Sequence, residues 1–184
     1  MIIDTHTHTF PDRIAARALA GMEKSIVDKH DWNVKIKVAG TRDALSESTK
    51  KNGVDISVVV PVATKPEQSA SINEFAAQTN EKTKETGVFS LGAIHPDNED
   101  YKDILDDIKK KGLKGIKVHP DYQKVEFDDP RYLRIFKYAD ELGLVIVTHA
   151  GEDIGLPEKI HCTPDMVLNV LNKVNPKKLV LAHM

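Results

Sequence analysis

The chain has 184 residues, 40% hydrophobic and 29% charged, with a formal net charge of −2. That is the size and balance of one soluble globular domain with a sizeable core, and neither sign of charge is in enough excess to suggest nucleic acid or an anionic membrane surface as a partner. No apolar run approaches the roughly 20 residues of a membrane helix, a strand beginning at residue 2 leaves no room for a signal peptide, and the lone Cys162 excludes a disulfide framework and points to a reducing cytoplasm.

The opening stretch, Met1 to Phe10, carries two apolar residues, then Asp4, His6 and His8. Side chains two apart on a strand share a face, so both imidazoles are expected to aim at one point past the end of a short buried strand. Arg13 to Lys29 predicts a helix with Ile14, Ala18 and Met22 on its inner stripe. Val34, Ile36 and Val38 alternate with lysines between Asp31 and Gly40, which predicts a half-exposed strand. Thr41 to Asn52 reads as a helix capped by Thr41.

A regular alternation follows. Strands are predicted at Ile56–Val60, Val88–Ala93, Gly115–Val118, Leu144–Thr148 and Leu179–Ala182. Helices are predicted between them at Pro66–Thr86, Tyr101–Lys111, Pro130–Leu142 and from Pro164, with Thr163 as cap. Near-continuous apolar strands separated by helices mean a parallel sheet with right-handed crossovers. Neither nucleotide-binding glycine fingerprint follows any strand, which removes the usual support for an open sheet. The expected fold is therefore α/β, a TIM-type (β/α)8 barrel, with six of its eight strands in this chain. Such barrels typically need about 250 residues, so residues 1–184 are expected to form one domain that is incomplete at its C-terminus.

Six of the eight histidines fall at or just past a strand's carboxyl end: His6, His8, His95, His119, His149 and His183. In a (β/α) barrel that rim carries the chemistry. Each alone has a bland explanation, a histidine packed at a strand end, and for His95 and His119, each followed by proline, the two explanations are evenly matched. Carboxylates behind the histidines should fix each tautomer, with Asp4 and the Glu152-Asp153 pair as candidates, although a solvated loop ranks slightly ahead for Glu152 and Asp153. Cys162 follows His161, but neighbours in sequence seldom face one another, and no nucleophile-elbow pattern surrounds Ser57 or Ser90.

The motifs Ile3-Asp4-Thr5-His6-Thr7-His8, Gly115-Ile116-Lys117-Val118-His119-Pro120, His149-Ala150-Gly151 and Leu181-Ala182-His183-Met184 together resemble the amidohydrolase superfamily. The similarity is greatest to its amidohydrolase-related branch, which contains aminocarboxymuconate-semialdehyde decarboxylase. The resemblance implies that His6, His8 and His149 bind a divalent metal, usually zinc, and that His183 either binds a second metal or acts catalytically by polarising substrate and water near a single one. It also implies an aspartate ligand from an eighth strand, which lies beyond these residues. Lys117 shares a strand face with His119. The resemblance leaves room for a second ion bridged by carbamylated Lys117, but contact with an anionic substrate group, together with His119 and Tyr122, ranks first, and an ion pair inside the barrel second.

A metal with an open position lowers the pKa of bound water to roughly 7 and polarises a carbonyl. The leading reading is therefore a metal-dependent hydrolase cleaving an amide, cyclic amide or lactone bond of a small molecule. The alternatives are a metal-dependent decarboxylase of a small carboxylated substrate, a related metal-dependent deoxyribonuclease, which ranks low, and a non-catalytic barrel fragment. Homo-oligomerisation is left open.

Overall fold

A computed structural model describes residues 1–183, so Met184 of the last motif lies outside the described residues. Seven parallel strands line up as part of a barrel wall: β1 (Ile3–Thr7), β2 (Ile56–Val59), β3 (Val88–Ser90), β4 (Gly92–Ala93), β5 (Gly115–Val118), β6 (Val145–His149) and β7 (Leu179–Ala182). They pair in the orders β1-β2-β3 and β4-β5-β6-β7. Helices alternate with them: α1 (Asp12–His30), α2 (Arg42–Lys51), α3 (Ser69–Glu81), α4 (Thr83–Thr86), α5 (Tyr101–Lys110), α6 (Pro120–Gln123), α7 (Pro130–Glu141) and α8 (Pro164–Lys173). Thr41 and Thr163 cap α2 and α8 as expected, accepting hydrogen bonds from the Ala44 and Met166 amides. No helix among the described residues is long and apolar enough to cross a membrane.

Strand alternation sorts the core into two layers. Ile116, Val118 and Ile146 point outward and pack with Leu105, Ile108, Ile135, Phe136 and Val170 of the surrounding helices. Burying each such side chain is worth about 1.5–3 kcal/mol, which makes this helix–sheet layer the main source of stability. Val60, Leu91 and Val147 point the other way and form a smaller cluster inside the barrel. Lys117 pairs in register with Val147 on β6 and so has the inward parity.

The structure corrects several expectations. The predicted strand Val88–Ala93 is two strands, broken at Leu91. Two amides from α3 grip its backbone on either side of the break: Asn80 exchanges hydrogen bonds with Ser90 N and O (2.6 and 2.9 Å), and Asn73 with Ala93 N and O (2.8 and 3.1 Å). The predicted helix Pro66–Thr86 is a 3₁₀ turn (Pro66–Gln68), then α3 and α4, with Lys82 at the joint. Asp31–Gly40 is not a strand: no partner strand lies beside it, and it is held by an Ile36 N–H to Glu23 contact (2.9 Å) and a Phe10 N–H to Gly40 O contact (2.8 Å). Strand β1 was expected to be buried; it pairs with β2 alone, and Ile2 and Ile3 are exposed.

Candidate active site

The end of β1 is pinned to its neighbour by the Thr7 hydroxyl donating to Val58 O (2.9 Å) and the Val60 N–H donating to Thr7 O (2.9 Å). This leaves His6 and His8 on either side of Thr7, both on the inner face. His119 follows β5, His149 ends β6, and His183 follows β7 in a left-handed backbone conformation (φ 68°). The imidazoles form a continuous row. Ring centroids are 5.0 Å apart for His8 and His6, 4.7 Å for His6 and His183, 4.9 Å for His183 and His149, and 4.1 Å for His149 and His119. Tyr122 stacks on the far side of His119 at 4.1 Å.

His6, His8, Lys117, His119, Tyr122, His149 and His183, all the residues singled out for the site, line one cavity of about 730 Å³. His95 does not: it is buried at the start of its own loop, its Nδ1 accepting from the Asp97 N–H (3.2 Å). Tyr122 lies on the short helix α6, whose first turn is set by Pro120.

Burial, reinforced by the Lys117 charge, lowers the pKa of His6 to about 3 and of His8 to about 4. Burial and the neighbouring His119 lower His149 to about 4. All three are therefore neutral near pH 7, the form in which imidazole binds a metal. Lys117 is fully buried, its Nζ has no hydrogen-bond partner, and burial brings its pKa down to about 8. Burial and the nearby Asp153 and Asp121 carboxylates push the Tyr122 hydroxyl up to about 12.

Of the two readings of Asp153, the solvated loop fails: the residue is 7% exposed. Its Oδ1 accepts from the Gly155 N–H (2.8 Å), while Oδ2 lies 3.4 Å from His119 Nε2 and 3.8 Å from His149 Nε2. Burial works against its charge, but the hydrogen bond and charge of His119 outweigh it and hold the carboxyl below its usual range. Nothing in the local pattern of the 150–163 loop distinguishes Asp153 from the exposed Glu152 beside it. The unanticipated feature is the opposite wall. Ile14, Ala18 and Met22, read as one apolar stripe, line the cavity with Phe10, Ile72 and Phe75. Helix α1 buries only Ala15 and serves as a roof.

Neutral imidazoles, a carboxylate and an open cavity are the donor set of a divalent-metal site. Of the described residues, His119, His149 and Asp153 form a trio whose ligand atoms all lie within 4.8 Å of one another; no trio containing His6 or His8 is that compact.

A profile of the family described as Amidohydrolase matches residues 3–184. The chain belongs to this family. No curated protein matches it significantly. Among solved structures, the apo form of IDCase from Metarhizium anisopliae superposes with a TM-score of 0.66 at 16% identity, covering 100% of this chain and 65% of that one. The 5-carboxyvanillate decarboxylase of Sphingomonas paucimobilis gives 0.67 at 16% identity, covering 98% of this chain and 66% of that one. The Novosphingobium aromaticivorans 5-carboxyvanillate decarboxylase, solved with manganese and 4-hydroxy-3-methoxy-5-nitrobenzoic acid, gives 0.60 at 14% identity, covering 96% and 55%. At these identities the likeness is one of fold, a (β/α) barrel of which this chain forms part. The chain spans just under two thirds of the first two structures' length and about half of the third's.

Proposed function

We propose that this amidohydrolase domain serves a metal-dependent decarboxylase acting on a small carboxylate with a flat apolar body. The observation that carries this reading is Lys117: a fully buried ammonium with no partner, in the wall of the cavity that the row of imidazoles also lines. An unpaired buried cation is costly, and an anionic substrate group would offset that cost. The apolar wall of Phe10, Ile14, Met22, Ile72 and Phe75 fits the rest of such a molecule. Three solved relatives in the fold comparison, including the manganese complex, are decarboxylases of aromatic carboxylates.

In this reading His6, His8 and His149 hold a first-row divalent ion, zinc or manganese. The orphaned, buried Nε2 of His149 fits that assignment. The ion would polarise substrate oxygens and stabilise charge developing on the ring. Lys117 holds the carboxylate, with His119 and Tyr122 against the substrate face. As carbon dioxide leaves, its bonding electron pair stays on the substrate carbon, and His183 delivers the proton that replaces it. The apolar face of α1, Ile14, Ala18 and Met22, shields the site from water.

The test is a panel of hydroxylated aryl carboxylates, cyclic amides and lactones incubated with metal-loaded protein. Carbon dioxide release, with one deuterium entering the product in heavy water, supports the proposal. Ring opening without carbon dioxide supports the hydrolytic reading instead.

A further inference from the structure

The side chain of Gln68 is held in one orientation. Its Oε1 accepts from three donors in the turn before it: the Thr64 N–H (2.8 Å), the Thr64 hydroxyl (3.0 Å) and the Lys65 N–H (3.1 Å). Backbone amides can only donate, so the oxygen must stay on that side and the Nε2 amine must face away from it. Among the described residues, Nε2 donates to nothing. Two N–H groups are thereby aimed and left without a use in the fold.

The backbone of Gln68 is already helical (φ −83°, ψ −22°) and leads directly into α3. Gln68, Ser71, Ile72 and Phe75 therefore share one helical face, at i, i+3, i+4 and i+7, and all four line the cavity. The Ser71 hydroxyl donates to Gln68 O (3.1 Å), which leaves Gln68 as the donor on that face. Arg13 lines the same cavity from the start of α1, next to Ile14, and has no ion-pair partner among the described residues. Gln68 and Arg13 thus each stand just ahead of the apolar cavity-lining residues of their own helix. Strands β1 and β2 are neighbours, so the segments that follow them, carrying Arg13 and Gln68, are neighbours too, whereas Lys117 belongs to β5 in the other sheet. The cavity offers unpaired donors in two separate places, with the apolar wall of Ile14, Ala18, Met22, Ile72 and Phe75 beside them.

We propose that Gln68, assisted by the charge of Arg13, is a specificity-determining residue that binds a second anionic oxygen group of the substrate, away from the carboxylate held by Lys117. This rests on the carboxylate-binding reading above and narrows it to flat molecules with two anionic groups. An aryl monocarboxylate leaves the Gln68 donors and Arg13 to water. A second carboxylate there accepts charge-assisted hydrogen bonds, which are shorter and stronger than neutral ones.

The test is calorimetric binding to the metal-loaded full chain of two probe pairs, benzoate against isophthalate and 2-naphthoate against 2,6-naphthalenedicarboxylate. In the wild type at least one diacid should bind about tenfold or more tightly than its monoacid. Gln68→Glu keeps an oxygen for the Thr64 and Lys65 donors and puts a repelling oxygen in place of the amine, while Gln68→Met removes the amine without adding charge. Both should bring the ratio to about one or below, with thermal melts confirming that each variant is folded. The inference is overturned if neither diacid is preferred by the wild type, or if the preference survives in folded Gln68→Glu. Lys117→Met, measured in parallel, separates the two levels. Monoacid binding that needs Lys117, with a diacid ratio of one, overturns this inference alone; monoacid binding that Lys117→Met leaves intact overturns the underlying reading as well.

Discussion

Replacing Lys117 with methionine should make the protein more stable and abolish its turnover. Methionine has a similar length and no charge, so it fills the same interior space without leaving a cavity. Lys117 is fully buried and its Nζ has no partner, and burial lowers its pKa from 10.5 to about 8. That shift corresponds to a destabilisation of about 3 kcal/mol by the charged form below pH 8. Metal-free Lys117→Met should therefore gain about 2–3 kcal/mol over the wild type at pH 7 in urea unfolding followed by circular dichroism. Between pH 8 and 10.5 the unfolded wild type binds more protons than the folded, so its stability rises with pH relative to the variant and the gap closes. Comparing the two proteins cancels Tyr122, whose raised value (about 12) pulls stability the other way in that range. A variant less stable than wild type at pH 7, or a gap independent of pH, would refute the reasoning, since either means the amine has a partner in the folded state.

Acid should destabilise the site. His6, His8 and His149 titrate at about 3, 4 and 4 when folded, against 6.5 when unfolded, so stability is lost as pH falls below 6.5, and a pH series of thermal melts on wild type and His8→Asn should show the variant's loss to be shallower. Asn73→Ala removes both hydrogen bonds that hold Ala93 and should cost about 2–3 kcal/mol in chemical unfolding. Gly115→Ala would place a Cβ 2.4 Å from Val145 O at the start of the β5–β6 ladder, and about 3 kcal/mol or more of destabilisation should appear as loss of soluble folded protein. Chelation should lower the melting temperature, with recovery on adding back zinc, because a ligand that binds only the folded state stabilises it by mass action.

Periodicity determined the parallel α/β sheet, and the missing nucleotide fingerprints together with histidines at several strand ends favoured its barrel form. Helices at Tyr101, Pro130 and Pro164 carry apolar stripes at helical spacing, the strands between them are short apolar runs, and only a parallel sheet with crossovers satisfies both. The positions of the histidines in that alternation were equally legible, because strand parity and strand ends place His6, His8, His119, His149 and His183 on one rim before any contact is known. Three things were settled only by the tertiary structure. The Val88–Ala93 strand breaks because Asn73 and Asn80, seven residues apart on α3, satisfy its backbone from the side, a long-range contact with no local signature. The α1 stripe faces a cavity rather than the core, because amphipathicity reports that a face is apolar and not what it covers. Asp153 turns inward where Glu152 beside it stays in solvent, because two imidazoles from different strands and the Gly155 amide together outweigh the cost of burying its charge, and those partners meet only in the folded chain.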